Sequence, residues 1–387
     1  MKTIQYKIIQ LINACGPLSQ VDIANKLSIS LPTVVTNVNH LVKERLLVQN
    51  HGESTGGRKP VIVGLNNTSC YVFGIDFRVD TLAVTLFDFG LNPVVEQILS
   101  TDNYVSVEKL MNQLFENMKD ILLNNNIQIK KLIGVGISVP GIINEESHDL
   151  VIAPKIHIRN ESLMKYNYFL NVPIHFENEA NAGCYGEWKL GAARNYHNVV
   201  YFSIMGGFGA GIVINDSLYR GTKYMAGEIG HIIVKRNGRM CSCGQRGCLT
   251  EYLDDTSFLK GYKEKTGRTL ETREAFWDLV KERDPVALDV ANDYIDDLVF
   301  AMQLTILVLD PDIIVIGGYN LKSSFPKMVE KLNKSKSTLF SDENNVVCSQ
   351  LDGNASIIGV ALYVRNDYLL KRNKDELHDT PLKTIPI

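Results

Sequence analysis

Three thiols and one imidazole crowd a single stretch of this chain, His231 followed by Cys241-Ser-Cys243-Gly-Gln-Arg-Gly-Cys248, and few arrangements in a soluble protein use them all. Cys-x-Cys is too tight for an ordinary disulfide, whereas three thiolates and a neutral imidazole make a closed tetrahedral Zn²⁺ shell. Gly244 and Gly247 let the backbone fold round an ion. The spacing predicts a structural Zn²⁺ held by His231, Cys241, Cys243 and Cys248. A zinc-ribbon reader of nucleic acid fits poorly, because paired Cys-x-x-Cys knuckles and a His-x₃₋₅-His pair are missing. Gly227-Glu-Ile-Gly-His231 runs straight into the cluster, so Glu228 shares a turn with a metal ligand. The metal is therefore expected to buttress a binding site.

At 387 residues, 45% of them hydrophobic, the chain exceeds one ordinary core, and two or three globular units are expected. No apolar run approaches bilayer-spanning length, and the N-terminus opens as an amphipathic pattern rather than a signal peptide, which predicts a cytoplasmic protein. The seven cysteines are an odd number, scattered outside the cluster, as reduced thiols would be. Charge is divided unevenly. Residues 1–66 carry seven Lys or Arg against three acids, a net +4, so the overall −3 leaves −7 on the remainder. A basic head on an acidic body means that only the head suits a polyanion.

Within that head, Ile4, Ile8, Ile9, Leu11 and Ile12 fall at helical spacing up to Gly16-Pro17. Ser19 caps a second short helix with Asp22 in its first turn, and Ser30 caps a third with Pro32 near its start. On the third helix Leu31, Val34, Val35, Val38, Leu41 and Val42 gather on one face, leaving Thr33, Thr36, Asn37, His40 and Lys43 on the other. Leu46–Asn50 and Pro60–Leu65 read as strands joined by a loop tipped with Arg58 and Lys59. Three helices and a hairpin over 1–66 predict a winged helix-turn-helix. Thr33, Thr36, Asn37 and His40 would face the major groove of double-stranded operator DNA, and Arg58 and Lys59 would reach phosphate or the minor groove. A small helical dimerisation domain is the competing reading, and the +4 charge with a cationic wing favours DNA.

Strands then helix, repeated, describe the body: Tyr71–Asp76 and Leu82–Asp88, a helix over 107–123, and Leu132–Pro140. A second series follows with Val199–Ile204, Gly206–Ile214 and Ile232–Val234, a helix over 285–308, and Leu309–Gly318. Two such α/β units facing each other enclose a cleft.

Gly136-Ile-Ser-Val-Pro-Gly141, Glu177-Asn-Glu-Ala-Asn181 with Gly186-Glu187, Ala226-Gly-Glu-Ile-Gly-His231, the cysteine cluster, Asp310-Pro-Asp-Ile-Ile-Val-Ile-Gly-Gly318 and Asn354–Leu362 resemble, in order and spacing, the ROK family of repressors and sugar kinases. With the winged helix in front, the chain resembles its xylose-repressor and N-acetylglucosamine-repressor type. The resemblance implies a two-lobed, actin-like and hexokinase-like body over 70–370: lobe one at about 70–180 plus a C-terminal helix 355–370, lobe two at about 181–354, and 371–387 a polar tail. It further implies a monosaccharide between the lobes (xylose, glucose or an N-acetylated hexosamine-like sugar), contacted by Asn178 and Glu179 on one side, by Glu228 and His231 opposite, and by the backbone of Gly141. Carboxylates and amides suit hydroxyls that both donate and accept.

Kinases of that family carry Asp-x-Gly-Gly-Thr after the first strand, where this chain has Asp76-Phe-Arg-Val-Asp80, and Gly-Thr-Gly where it has Met205-Gly-Gly207. Loss of those glycines and hydroxyls removes the backbone cradle for phosphates. The position two residues past the last cysteine, often Glu in the family, is Thr250. The expectation is a sugar-responsive transcriptional repressor without catalytic activity, a homodimer or dimer of dimers with paired heads. The alternatives are an ATP-dependent sugar kinase with a DNA-binding appendage and a regulator whose body binds another protein.

Overall fold

The computed structural model describes residues 3–51, 60–78, 80–101, 106–144, 146–147, 149–156, 158–318, 325–334 and 345–375. Arg58 and Lys59 lie outside the described residues.

The head forms α1 (Thr3–Cys15), β1 (Leu18–Ser19), α2 (Gln20–Leu27), α3 (Leu31–Lys43), β2 (Leu47–His51) and β3 (Val61–Leu65). Both expected caps form: the Ser19 hydroxyl accepts from Asp22 N and the Ser30 hydroxyl from Thr33 N. Each satisfies an amide that the first helical turn leaves without an intrahelical partner. The two-residue β1 pairs antiparallel with β3, which also pairs with β2 in a three-stranded wing sheet.

Lobe one contains β4 (Tyr71–Phe77), β5 (Thr81–Asp88), β6 (Pro93–Ser100), α4 (Val107–Asn124), β7 (Leu132–Val139), β8 (Ile142–Asn144), β9 (Asp149–Ala153), β10 (Ile158–Ser162), β11 (Tyr168–Phe169) and β12 (Val172–Asn178). Its main sheet runs β11-β12-β7-β4-β5-β6, parallel across β12, β7 and β4, and β8, β9 and β10 form a small sheet of their own. Lobe two follows α5 (Glu179–Lys189) with β13 (Val199–Ile204), β14 (Phe208–Ile214), β15 (Ser217–Leu218), α6 (Thr250–Leu253), α7 (Ser257–Thr266), α8 (Arg273–Lys281), α9 (Pro285–Leu309), β16 (Ile313–Gly318), α10 (Phe325–Asn333) and β17 (Val346–Cys348). Its sheet runs β15-β14-β13-β16-β17, again a parallel core extended by an antiparallel meander. The two sheets share this plan, which is the actin-like and hexokinase-like body expected.

Strand alternation decides how the layers stack. In β4, Phe73, Ile75 and Phe77 face a core containing Leu114 and Met118 of α4, while Val72 belongs to the core shared with the last helix, α11 (Ala355–Asp375). In β13, Val200, Phe202 and Ile204 pack with Leu298 and Met302 of α9, while Val199 and Tyr201 pack with Cys184 and Trp188 of α5. Helix α11 lies on β7, β4 and α5, so α5 and α11 form the middle layer between the sheets. Their backbones nearly touch. A Cβ on Gly359 would sit 1.9 Å from the carbonyl oxygen of Ala182, and one on Gly186 2.7 Å from that of Ala355.

Four expectations change. Helix α11 runs to Asp375, so 371–375 continue the helix rather than begin the polar tail, and 376–387 lie outside the described residues. Residues Ile232–Val234 make only an isolated bridge, Ile233 to Cys248, because the cysteine-bearing loop folds back over them. Leu31, placed on the inward face, is 42% exposed. Asn37, placed outward, is only 9% exposed, its Nδ2 donating to the Thr33 carbonyl at 2.8 Å.

Candidate functional site

The loop that carries the three clustered cysteines turns on glycines. Gly247 has φ 82°, and a Cβ there would meet the Lys235 carbonyl oxygen at 1.7 Å. That same glycine's carbonyl accepts from Val234 N and Lys235 N, pinning the loop to the segment after His231. The four ligand atoms of His231, Cys241, Cys243 and Cys248 all lie within 4.8 Å of one another. Cys243 Sγ and Cys248 Sγ are 3.7 Å apart, and Cys241 Sγ lies 3.6 Å from His231 Nδ1. A tetrahedral Zn²⁺ with its usual bond lengths requires edges of about 3.8 Å between sulfurs and about 3.6 Å from sulfur to nitrogen. Those two edges match such an ion, and the remaining donors lie close enough to complete its shell. Burial, then crowding by the neighbouring thiols, pushes Cys248 up to about 12, so ionised sulfurs here call for a cation. Arg239 ties the loop to α7 through two bonds to Glu264, at 2.8 and 2.6 Å, and to α6 through the Glu251 carbonyl at 2.7 Å.

With its Nδ1 toward the thiols, His231 presents Nε2 to Glu228, 3.6 Å from the carboxylate. Burial raises the pKa of Glu228. The backbone around this pair is anchored on β14, where Ala210 N donates to the Gly227 carbonyl at 2.8 Å. Helix α5 meets the same strand from the other side, since a Cβ on Gly211 would lie 2.3 Å from the Ala180 carbonyl oxygen. The structure thus gathers Asn178, Glu179, Glu228 and His231 around one strand, at the lobe junction.

Asn178 is largely committed to structure. Its Oδ1 accepts from Ala180 N and Asn181 N as the cap of α5, and its Nδ2 donates to the Gly141 carbonyl at 2.9 Å. One amide hydrogen remains for a ligand. Gly141 is small because β9 lies against it, a Cβ meeting the Ile152 carbonyl oxygen at 2.6 Å. The Glu179 carboxylate accepts from the Ser203 hydroxyl of β13, which bridges the lobes. Residue-type reasoning missed a second bridge. Glu177 is buried and accepts from Asn178 N, Asn181 Nδ2 and Arg220 Nη2, the last at 2.5 Å from the loop after β15. Nothing local in the sequence signals that pairing, because 43 residues separate its members.

A cleft of about 1110 Å³ opens on the phosphate-loop side of the junction, walled by residues that include Arg78, Glu96, Trp277, Lys281, Gly318 and Asn354. Asn178, Glu179, Glu228 and His231 are not among its walls. Arg78 Nε donates to Asp76 at 2.8 Å, and Ser138 Oγ donates to the same carboxylate at 2.7 Å. Gly206 N donates to Asp255 at 3.1 Å, and Arg273 holds the other oxygen of that acid at 2.7 Å. On α3, Thr36, Asn39, His40 and Lys43 are exposed and Thr33 partly so. Asn39, which the sequence reading passed over, belongs to that exposed stripe.

A profile of the ROK family matches residues 72–367, and one for winged helix-turn-helix DNA-binding matches residues 1–48. The chain belongs to the ROK family. It is 30% identical over 360 residues to a xylose repressor of Bacillus spizizenii, covering 92% of both chains. The crystal structure of a ROK family transcriptional regulator, a homologue of the E. coli MLC protein, superposes with a TM-score of 0.77 at 21% identity, over 96% of this chain and 98% of that one. A ROK family glucokinase from Streptomyces griseus, in complex with glucose and AMPPNP, superposes with a TM-score of 0.65 at 22% identity, over 76% and 99%. The regulator likeness spans nearly the whole chain, whereas the glucokinase likeness spans about three quarters of it. At the ROK position where Glu is frequent, Thr250 is buried and its hydroxyl accepts from Phe208 N at 3.0 Å, so it serves β14. Among the described residues, no helix is long and apolar enough to cross a membrane.

Proposed function

We propose that this ROK protein is a cytoplasmic, sugar-responsive transcriptional repressor, which binds double-stranded operator DNA through its winged head and a monosaccharide at the lobe junction. The observation that carries this reading is the union of the head with a ROK body in which groups of the phosphate-loop segments are bonded to the chain's own acids. Arg78 is drawn onto Asp76, and the Gly206 amide, which would face a phosphate, is given to Asp255. Glycines at 317 and 318, which would otherwise favour a kinase, have a packing reason: a Cβ on Gly317 would lie 2.1 Å from the Tyr201 hydroxyl.

Glu228, His231 Nε2, Glu179 and the free amide hydrogen of Asn178 are the groups assigned to sugar hydroxyls, with Gly141 closing the floor. Thr33, Thr36 and His40, joined by Asn39, are assigned to the major groove, and Arg58 and Lys59 to the wing's phosphate contacts. Asn37 is better read as a packing residue of the head. The Cys₃His set fits Zn²⁺ by donor chemistry and spacing, and a bound ion there would fix the turn carrying Glu228 and His231. Two half-sites call for at least a homodimer. Helix α9 leaves Phe300, Leu307 and Val308 exposed along one face, which a second copy would cover.

The test is fluorescence anisotropy with a duplex from the chain's own upstream region, titrated with and without D-xylose, D-glucose and N-acetylglucosamine. Operator affinity should change with one of these sugars, and Glu228→Ala should abolish the change while leaving sugar-free DNA binding intact. Sugar-dependent ADP production at about 1–100 per second would establish the kinase instead.

A further inference from the structure

The head is joined to the body by more than a linker. Ile8, Ile9 and Ile12 of α1 share one buried cluster with Phe89 of the β5–β6 turn and Leu362 and Leu369 of α11. Two adjacent residues of α11 supply polar pins through that apolar seam. Arg365, fully buried, donates through Nη1 to Asn13 of α1 at 2.8 Å and to the Phe89 carbonyl at 2.9 Å. Asn366 accepts from Gln10 Nε2 of α1 at 2.7 Å and donates through Nδ2 to the Tyr185 hydroxyl at 2.9 Å. Tyr185 lies on α5, the helix that opens with Asn178 and Glu179.

We propose that Asn366 is a positioning residue for the signal between sugar and DNA, and that the chain Tyr185–Asn366–Gln10 carries a displacement of α5 to the head. The inference rests on the function proposed above. The physical argument is that α5 and α11 cannot slide freely past each other. With Gly359 and Gly186 at their crossing, backbone meets backbone, and rigid packed elements transmit shifts rather than absorb them. The Glu179–Ser203 bond ties the first turn of α5 to β13, so lobe closure on a sugar pulls on that turn. Asn366 spends an acceptor and a donor on two different elements, and its alignment to the head therefore depends on where α5 stands. Low dielectric around a buried amide makes each of these bonds costly to break, which gives the seam discrete arrangements rather than a continuum. Arg365 strengthens the case. Its Nε and Nη2 have no hydrogen-bond partner among the described residues, so the docked arrangement is held with a charge only partly satisfied. A buried charge in that state opposes docking and keeps a second arrangement within reach.

Tyr185→Phe removes only the hydroxyl, and Gln10→Met only the head's amide. In each, sugar affinity of the DNA-free protein, measured by calorimetry, should stay within about twofold of wild type. The sugar-induced change in operator affinity should shrink by about 2- to 30-fold, the range by which residues between coupled sites tune coupling. The double variant should lose no more than the worse single, because both cut one chain. Undiminished coupling in Tyr185→Phe overturns the proposal, as does a fall in sugar affinity with coupling retained, which would mark Tyr185 as merely structural. Hydrogen exchange of the α1 amides in the sugar-free, DNA-free protein separates this idea from the reading beneath it. If wild type answers none of the sugars, the proposed function fails. Faster α1 exchange in Tyr185→Phe would still support the seam, and unchanged exchange would end it.

Discussion

Asn37 shows how residue type and residue position can disagree. At about 100° per residue it lies about 60° from Val34 and about 40° from Leu41, at the border of the apolar face, so helical geometry alone leaves its side open. Its polarity argued outward. The conflict is resolved by its own backbone: the amide folds back onto the Thr33 carbonyl, and the side chain is buried with that bond made. Asn37→Ala should therefore lower the stability of the head by about 1 kcal/mol, the net value of a buried hydrogen bond, as read by chemical denaturation. Thr36→Ala should leave stability unchanged and relax preference at one or two operator base pairs. An equal stability loss from both substitutions would contradict this division. Asn178 teaches the converse. Its family motif was legible in the sequence, but its commitment to capping α5 was not, because the Gly141 carbonyl that holds its amide lies 37 residues away.

At the scale of elements, the clustering of His231, Cys241, Cys243 and Cys248 was legible in the sequence. These donors are close in sequence, and the ion's chemistry restricts how they are spaced. About one Zn²⁺ per chain should copurify in the absence of chelator, measured by atomic absorption. Cys243→Ser should lower the thermal midpoint by several degrees and weaken sugar binding together, since the same loop orients Glu228 and His231. A Cys243→Ser protein that keeps full metal content and wild-type melting would refute the assignment. The α5–α11 crossing was not legible, because helices 170 or so residues apart carry no local signal of contact and small residues read equally well as turns. It makes a firm prediction nonetheless. Gly359→Ala places a methyl 1.9 Å from the Ala182 carbonyl oxygen, and the helices must separate to admit it. Overpacking of this kind costs about 1–3 kcal/mol. Thermal unfolding of Gly359→Ala should show that loss, whereas Gly267→Ala, where open space surrounds the built Cβ, tests only the cost of its φ of 73°.

For the whole molecule, strand and helix periodicity pointed to the head and to two α/β series, because each series repeats within a short span of sequence, whereas the lobe bounds were implied by the family resemblance. The meander strand β6, the small sheet of β8, β9 and β10, and the extension of α11 escaped, being short, exposed or polar. What the fold adds bears on the proposed absence of phosphoryl transfer. Phosphoryl transfer is mostly positioning and charge stabilisation, so a protein loses it when the phosphate cradle is occupied even if the sugar still binds. Here Arg78, standing where kinases have a glycine, is bonded to Asp76, which Ser138 also holds, and the Gly206 amide is bonded to Asp255, which Arg273 also holds. A triphosphate entering the cleft would have to break the Gly206–Asp255 bond to gain that amide. The prediction is that sugar binding survives without turnover. Calorimetry should give a sugar whose binding heat disappears in Glu228→Ala and is unaffected by ATP, while a coupled assay with that sugar shows no ADP formation above background. Glu179→Asp, which shortens by one methylene the acid assigned to the sugar hydroxyls, should also leave that assay at background, because the barrier is assigned to the phosphate loops. Turnover in Glu179→Asp would overturn that assignment.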